Sequence, residues 1–274
     1  MGDMNRPVDL AIRESGPADA PAVVFLHGVG NSGVMWASHM AALSEYRCIA
    51  PDLPGHGSSH DLAWVSRQET AARVARLIED LPVPRAHLVG LSLGGSVAFE
   101  LVATRPELLH RVIIDGCGAV GSRLAGPMKA IVAAVSPLVR QRAFGRLLAA
   151  ALGITEPTAL DDFIGQLGQV DPRSFRRAFA DAQDVRIDDR LRGAACPTLL
   201  VSGEKELSVV HESGRRLAFA MPHAEAWVMP GAGHGWLGRD SDVHIAMVRS
   251  WIEDRPLPGE LQPLRPQSPQ ATTG

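Results

Sequence analysis

The sequence predicts an α/β protein: a mostly parallel sheet flanked by helices and broken by one helical insertion. Three observations carry this. Short apolar runs rich in β-branched residues recur along the chain and stop at glycine. Stretches with apolar residues at helical spacing lie between them. From about residue 119 to residue 184 the alternation gives way to helix-like sequence alone. Continuous rather than alternating apolar runs fit strands covered on both faces, as in parallel sheets.

The strand candidates come in order. "AVVFLHG" is followed by "YRCIAPDLPGHG", "AHLVGLSLGG", "RVIIDGCG", "PTLLVSGE" and "EAWVMPGAGHG". The helix candidates between them include "GVMWASHMAALSE", "RQETAARVARLIEDL" and "GGSVAFELVATRPELL". This strand–helix alternation predicts right-handed crossovers. The insertion is rich in alanine and leucine and punctuated by Pro137, Pro157 and Pro172. The expected organisation is a core over 1–118, a helical cap over 119–184, the rest of the core over 185–256, and a proline-rich tail over 257–274. The tail's polar, proline-rich composition predicts an extended or disordered segment.

Composition narrows the function. The chain has 274 residues, 46% hydrophobic and 21% charged, enough for a substantial core. A net charge of −3 gives no electrostatic reason to expect nucleic acid. The three cysteines, Cys48, Cys117 and Cys196, lack metal-ligand spacing and read as reduced thiols. No metal and no cofactor is expected. The N-terminus "MGDMNRPVDLAIRESG" lacks the apolar core of a signal peptide, and the longest apolar stretches are too short for a membrane span. The expectation is a cytoplasmic protein with a small-molecule substrate and no membrane partner. A homodimer is compatible with the sequence.

Three motifs carry chemistry. "GLSLG" (Gly90 to Gly94) follows an apolar strand and precedes a helix, the context in which a G-x-S-x-G turn exposes a nucleophilic serine, here Ser92. "LHGVGNSG" (Leu26 to Gly33) is a glycine-rich loop after an earlier strand. Its Val29 N–H, with that of Leu93, is positioned to form an oxyanion hole. His27 is expected to position this loop and, with Gly28, to face the substrate, with a catalytic base as its alternative role. "MPGAGHGW" (Met229 to Trp236) places His234 in a loop after the last long strand, where an imidazole can take the Ser92 proton. Trp236 is a candidate for the pocket wall. His56 stays a minor candidate for substrate contact, and His211 and His244 read as surface residues of helices.

In combination, "LHGVGNSG", "PDLPGHGSS", "GLSLGG", "PTLLVSGEKE" and "PGAGHG" resemble the α/β-hydrolase superfamily over roughly residues 8–254. The resemblance implies a sheet of about eight strands, a helical cap forming much of the pocket, and a triad in the order Ser, acid, His. It departs at the acid. The aspartate usual three residues after the glycine of "PTLLVSG" is replaced by Glu206, which becomes the preferred acid. Asp115, ending the strand beside the nucleophile strand, is the alternative. Glu204 reads as a solvated neighbour.

The implied reaction is acyl transfer to water through an acyl-enzyme on Ser92, with an ester or lactone as substrate. Apolar cap residues (Met128, Ile131, Val135, Leu138, Phe144, Leu147, Leu148, Phe163 and Phe175) suggest an apolar or aromatic one, although more than half are expected to be cap core. A carbon–carbon bond hydrolase of ring-cleavage products is the alternative within the class, alongside a cofactorless lyase or a thioesterase. A non-catalytic ligand-binding member of the superfamily is the alternative outside it.

Overall fold

The computed structural model describes residues 10–119, 125–154, 156–187 and 189–264. Eight strands form one sheet: β1 (Ile12–Ser15), β2 (Ala22–Leu26), β3 (Arg47–Pro51), β4 (Ala86–Leu91), β5 (Leu109–Asp115), β6 (Thr198–Gly203), β7 (Ala224–Met229) and β8 (Gln262–Pro263). Their spatial order is β1-β3-β2-β4-β5-β6-β7-β8. β1 and β8 pair antiparallel at the two edges, and every pairing between β3 and β7 is parallel. All residues of β2 and β6 are buried, the pattern of strands covered on both faces.

Helices cover both faces: α1 (Ala37–Ala42), α2 (Arg67–Glu79), α3 (Leu93–Thr104), α9 (Ser208–Ala220) and α11 (Ser241–Ile252). Alternate strand residues feed the two layers. Val24, Leu26, Leu88 and Ile114 join side chains of α2, α3 and α9 in one core. Val23, Phe25, Val89 and Ile113 point to the opposite core, with side chains of α1 and α11. The short helices α8 (Asp189–Arg192) and α10 (Trp236–Arg239) lie in connections. No helix among the described residues is long and apolar enough to cross a membrane.

Between β5 and β6 lie α4 (Ala125–Val135), α5 (Arg142–Leu152), α6 (Pro157–Leu167) and α7 (Pro172–Ala182). Pro157 and Pro172 each open a helix, where a missing N–H costs nothing, and Glu156 and Asp171 cap the same ends. These helices share a small core of their own that includes Phe163, Leu167 and Phe175. The α7 side is bound to the sheet domain. The Asp171 N–H donates to the Gly55 carbonyl at 2.9 Å. The Trp64 N–H donates to Ser174 Oγ at 3.0 Å, and the Trp64 indole N–H to Asp181 Oδ2 at 2.8 Å. By contrast, α4 has no buried residue.

Two expectations are corrected here. Residues 257–264 do not fray: Leu261 is buried, and β8 closes the sheet edge beyond β7. Proline at an edge strand loses no ladder bond that a neighbour needs. Residues 265–274 lie outside the described residues. Among the apolar cap residues, Ile131, Leu138 and Leu147 are exposed rather than packed against the sheet or within the cap core. The three cysteines are buried and unpaired.

Candidate active site

Ser92 stands at the turn between β4 and α3. Its backbone has φ 53° and ψ −107°, one of two positive-φ non-glycine residues among those described. Such a conformation costs on the order of 1–3 kcal/mol and persists only where the surroundings enforce it. The enforcement is steric. A Cβ on Gly90 would sit 2.5 Å from the Gly94 carbonyl oxygen, and one on Gly94 would sit 2.2 Å from that of Leu26. Only glycine lets β4, the turn and β2 come this close. The Ser92 N–H donates to the Asp115 carbonyl at 2.8 Å, and the Gly94 N–H donates to the His27 carbonyl at 3.0 Å. Among the described residues the intervening Leu93 N–H donates to no protein acceptor, and neither does that of Val29.

His234 lies in the loop after β7. Its Nδ1–H donates to Glu206 Oε2 at 2.8 Å, which leaves Nε2 as the nitrogen free of that bond, and His234 borders the same cavity as Ser92. Glu206 is nearly sealed from solvent, 4% exposed, and its Oε1 accepts the Gly203 N–H at 3.1 Å. Burial opposes charge on the imidazole, but the hydrogen bond and negative charge of Glu206, with a smaller contribution from Asp115, hold its pKa above the usual histidine value. Glu204 is more than a solvated neighbour. Its Oε2 accepts the Gly231 N–H at 2.7 Å and so braces the turn that leads to His234.

Asp115 is placed differently. Its Oδ1 accepts the indole N–H of Trp236 at 3.2 Å, and its Oδ2 lies 3.3 Å from Nε2 of His244. His244 Nδ1 in turn meets His39 Nε2 at 2.8 Å. All four side chains are buried. Burial, then the charge of Glu206, pushes the Asp115 carboxyl up to about 8. The His234 ring is therefore engaged by Glu206 and not by the alternative acid.

Further sequence expectations are corrected by burial. His244 is not a surface residue, because α11 turns it inward against Trp236 and His39. Trp236 is buried, with its indole N–H on Asp115, and does not border the cavity that Ser92 borders. His27 is fully buried: its Nε2 accepts the Leu53 N–H at 2.9 Å, so Nδ1 carries the proton donated to the Gly28 carbonyl. Burial lowers its pKa to about 4, which keeps it a neutral brace for the loop; it does not border the cavity, so neither substrate contact nor the base role falls to it. His56 is equally buried against it.

Ser92, His234, Gly28 and Val29 border one cavity of about 410 Å³. Its apolar wall includes Leu91, Leu152, Ile154, Phe163 and Leu237, so Phe163 alone of the nine cap residues singled out from sequence reaches it. Its polar wall adds Asn31 and Gln166 near the glycine loop and Glu156, Asp162 and Arg239 elsewhere. Arg239 is already engaged by Asp240 at 2.7 Å and the Gly231 carbonyl at 3.2 Å. Asn31, Gln166 and Arg239 went unnoticed in the sequence, where no local pattern marks them.

A family model described as "Alpha/beta hydrolase family" matches residues 23–244. The chain belongs to the alpha/beta hydrolase family. Among curated members, "Putative carbamate hydrolase RutD" of Pseudomonas syringae pv. syringae (strain B728a) is 29% identical over 249 residues, covering 87% of this chain and 96% of that protein. Two solved structures share the fold. The enol-lactonase from Burkholderia xenovorans LB400 superposes with a TM-score of 0.78 at 23% identity, over 89% of this chain and 96% of that one. A thermophilic esterase from Thermogutta terrifontis gives 0.75 at 23% identity, over 89% and 93%.

Proposed function

We propose that this alpha/beta hydrolase is a serine hydrolase that cleaves a neutral carboxylic ester or lactone through an acyl-enzyme on Ser92. The observation that carries the reading is the Glu206–His234 hydrogen bond at the cavity that Ser92 borders. His234 Nε2 takes the Ser92 proton as Oγ attacks the carbonyl carbon. The N–H groups of Val29 and Leu93 stabilise the oxyanion, and Glu206 stabilises the imidazolium. His234 then protonates the leaving oxygen, and water attacks the acyl-enzyme along the reverse path.

The cavity supports a substrate without a free carboxylate. Glu156 and Asp162 contribute negative charge to its wall, and the guanidinium of Arg239 is satisfied by Asp240. An anionic ring-cleavage product, the substrate of the carbon–carbon bond reading, would meet repulsion with no free cation among the described wall residues to offset it. The activities in the relatives' names, carbamate and enol-lactone hydrolysis, likewise begin with attack on a carbonyl.

The test is labelling with a fluorophosphonate followed by a panel of aryl esters, lactones and vinylogous diketones. The expected result is an adduct on Ser92, lost in Ser92→Ala, and turnover of neutral esters or lactones. An unlabelled Ser92 removes the enzyme reading, and turnover confined to diketones transfers the assignment to carbon–carbon bond cleavage.

A further inference from the structure

Gln166 lies near the end of α6 in the cap, 134 positions along the chain from Ser32. Its Oε1 accepts two hydrogen bonds from Ser32, one from the backbone N–H at 2.8 Å and one from Oγ at 2.9 Å. A backbone N–H can only donate, so the carboxamide must turn its oxygen to Ser32 and its NH₂ away. Ser32 closes the glycine-rich loop. Its Oγ also accepts the Val34 N–H at 3.4 Å and caps the helical turn Gly33–Trp36. Inside the loop the Asn31 N–H donates to the Gly28 carbonyl at 3.2 Å, which bends the chain around Val29. The Gly33 N–H, on the far side of Ser32, is held by Asp52 Oδ1 at 2.7 Å.

The neighbouring cap residue keeps the same register. Leu167 is fully buried, and a Cβ on Gly30 would come within 2.8 Å of its Cδ1. Val29 itself packs against the cap core. The loop that supplies the Val29 N–H is thus pressed and hydrogen-bonded by α6, while its other end is pinned to the sheet domain. Gln166 also borders the cavity that holds Ser92.

We infer that Gln166 is a positioning residue for the oxyanion hole, holding the Val29 N–H in place through Ser32, so that the cap takes part in catalysis as well as enclosing the substrate. The inference rests on the ester-hydrolase reading above. Its consequence is specific. Loss of the contact impairs stabilisation of the oxyanion, the part of the reaction that exists only in the transition state, so kcat falls while KM changes little.

The test compares Gln166→Met, which removes the acceptor, with Gln166→Glu, which keeps an acceptor oxygen for Ser32. Two readouts are taken on the full chain: amide hydrogen exchange across residues 28–33, and turnover of an aryl ester beside its thionoester, whose sulfur makes poor use of N–H donors. Gln166→Met should accelerate exchange at Asn31 and Ser32. It should also cut kcat for the oxygen ester on the order of 10- to 100-fold, while the thionoester rate falls much less, so the ratio of the two contracts. Gln166→Glu should restore slow exchange. Unchanged exchange in Gln166→Met overturns the tie. Faster exchange with an unchanged rate ratio reduces the tie to a structural one and overturns the catalytic role. Failure of the underlying reading is seen separately, as ester turnover that survives Ser92→Ala.

Discussion

Nε2 of His244 lies 3.3 Å from Oδ2 of Asp115, and neither side chain reaches solvent. The carboxyl at the end of β5 is thereby spent on α11 and Trp236. Burial, reinforced by the charge of Glu206, pushes Asp115 up to about 8, and burial lowers His244 to about 3. Both groups are therefore mainly neutral at pH 7.

That arrangement fixes a pH dependence of stability. An unfolded aspartate titrates near 3.9. The native state holds the Asp115 proton up to about 8 and so binds more protons than the unfolded chain between these values. Stability must fall as pH rises through that window, by up to about 1.4 kcal/mol per unit from this group. His244 acts in the opposite sense, but only below about 6.5. Thermal melts between pH 6.5 and 8 should show Tm falling with pH and a shallower slope in Asp115→Asn. The raised pKa of His234 leaves some slope in the variant, because stability from a raised histidine is also lost as pH climbs through its folded value. Parallel slopes in the two proteins would contradict the burial of a protonated Asp115.

The two carboxyls should separate cleanly in activity. Glu206→Gln removes the charge that faces imidazolium and should lower kcat on an activated ester on the order of 10⁴-fold. Asp115→Asn keeps an acceptor for the Trp236 indole and should stay within about tenfold of wild type. The reverse ranking would move the triad acid to Asp115.

The base itself gives a third expectation. His234 must be neutral to accept the Ser92 proton, and Glu206 holds its pKa above the ordinary value. The acid limb of kcat/KM should therefore lie above about 6.5, the free histidine value. In Glu206→Gln the residual activity should show that limb displaced to lower pH. A wild-type limb at or below 6.5 would separate His234 from the proton transfer.

Gly116 offers a test by geometry alone. Its φ is +59°, and a Cβ there would lie 2.8 Å from His234 Cε1 and 2.9 Å from Nδ1. Gly116→Ala must shift the imidazole or the strand end, and misplacement by about 1 Å costs roughly 10²-fold. Gly118→Ala is the control, since its nearest neighbour, Ser213 Oγ, would be 3.8 Å away. Equal rates in the two variants would place His234 outside the reacting centre.

What can be read from the sequence is what neighbours along the chain decide. The strands are legible because burial on both faces demands continuous apolar runs. The Ser92 turn is legible because close backbone approach demands Gly90 and Gly94 within five residues. Glu206 follows from counting three positions from Gly203. The rest depends on packing between distant segments. His244 has the spacing of an ordinary surface helix residue until α11 meets α1 205 positions away through His39. Gln166 and Ser32 carry no mark of each other. The "LQPL" stretch looks like tail because its pairing partner is the exposed edge of β7, which no local pattern reveals.

The three cysteines have a practical consequence. They sit in separate places: on β3, just after β5, and just before β6. Burial pushes Cys48 and Cys117 up to about 12 and raises Cys196 as well. At that value the Cys48 and Cys117 thiols are ionised to about one part in 10⁴ at pH 8, Cys196 is shifted in the same direction, and only the thiolate alkylates readily. The folded chain should therefore ignore iodoacetamide, and any adduct that forms dates the moment its segment came open. The protein carries three built-in clocks of unfolding, spread across one sheet, which can be read by mass without introducing a probe.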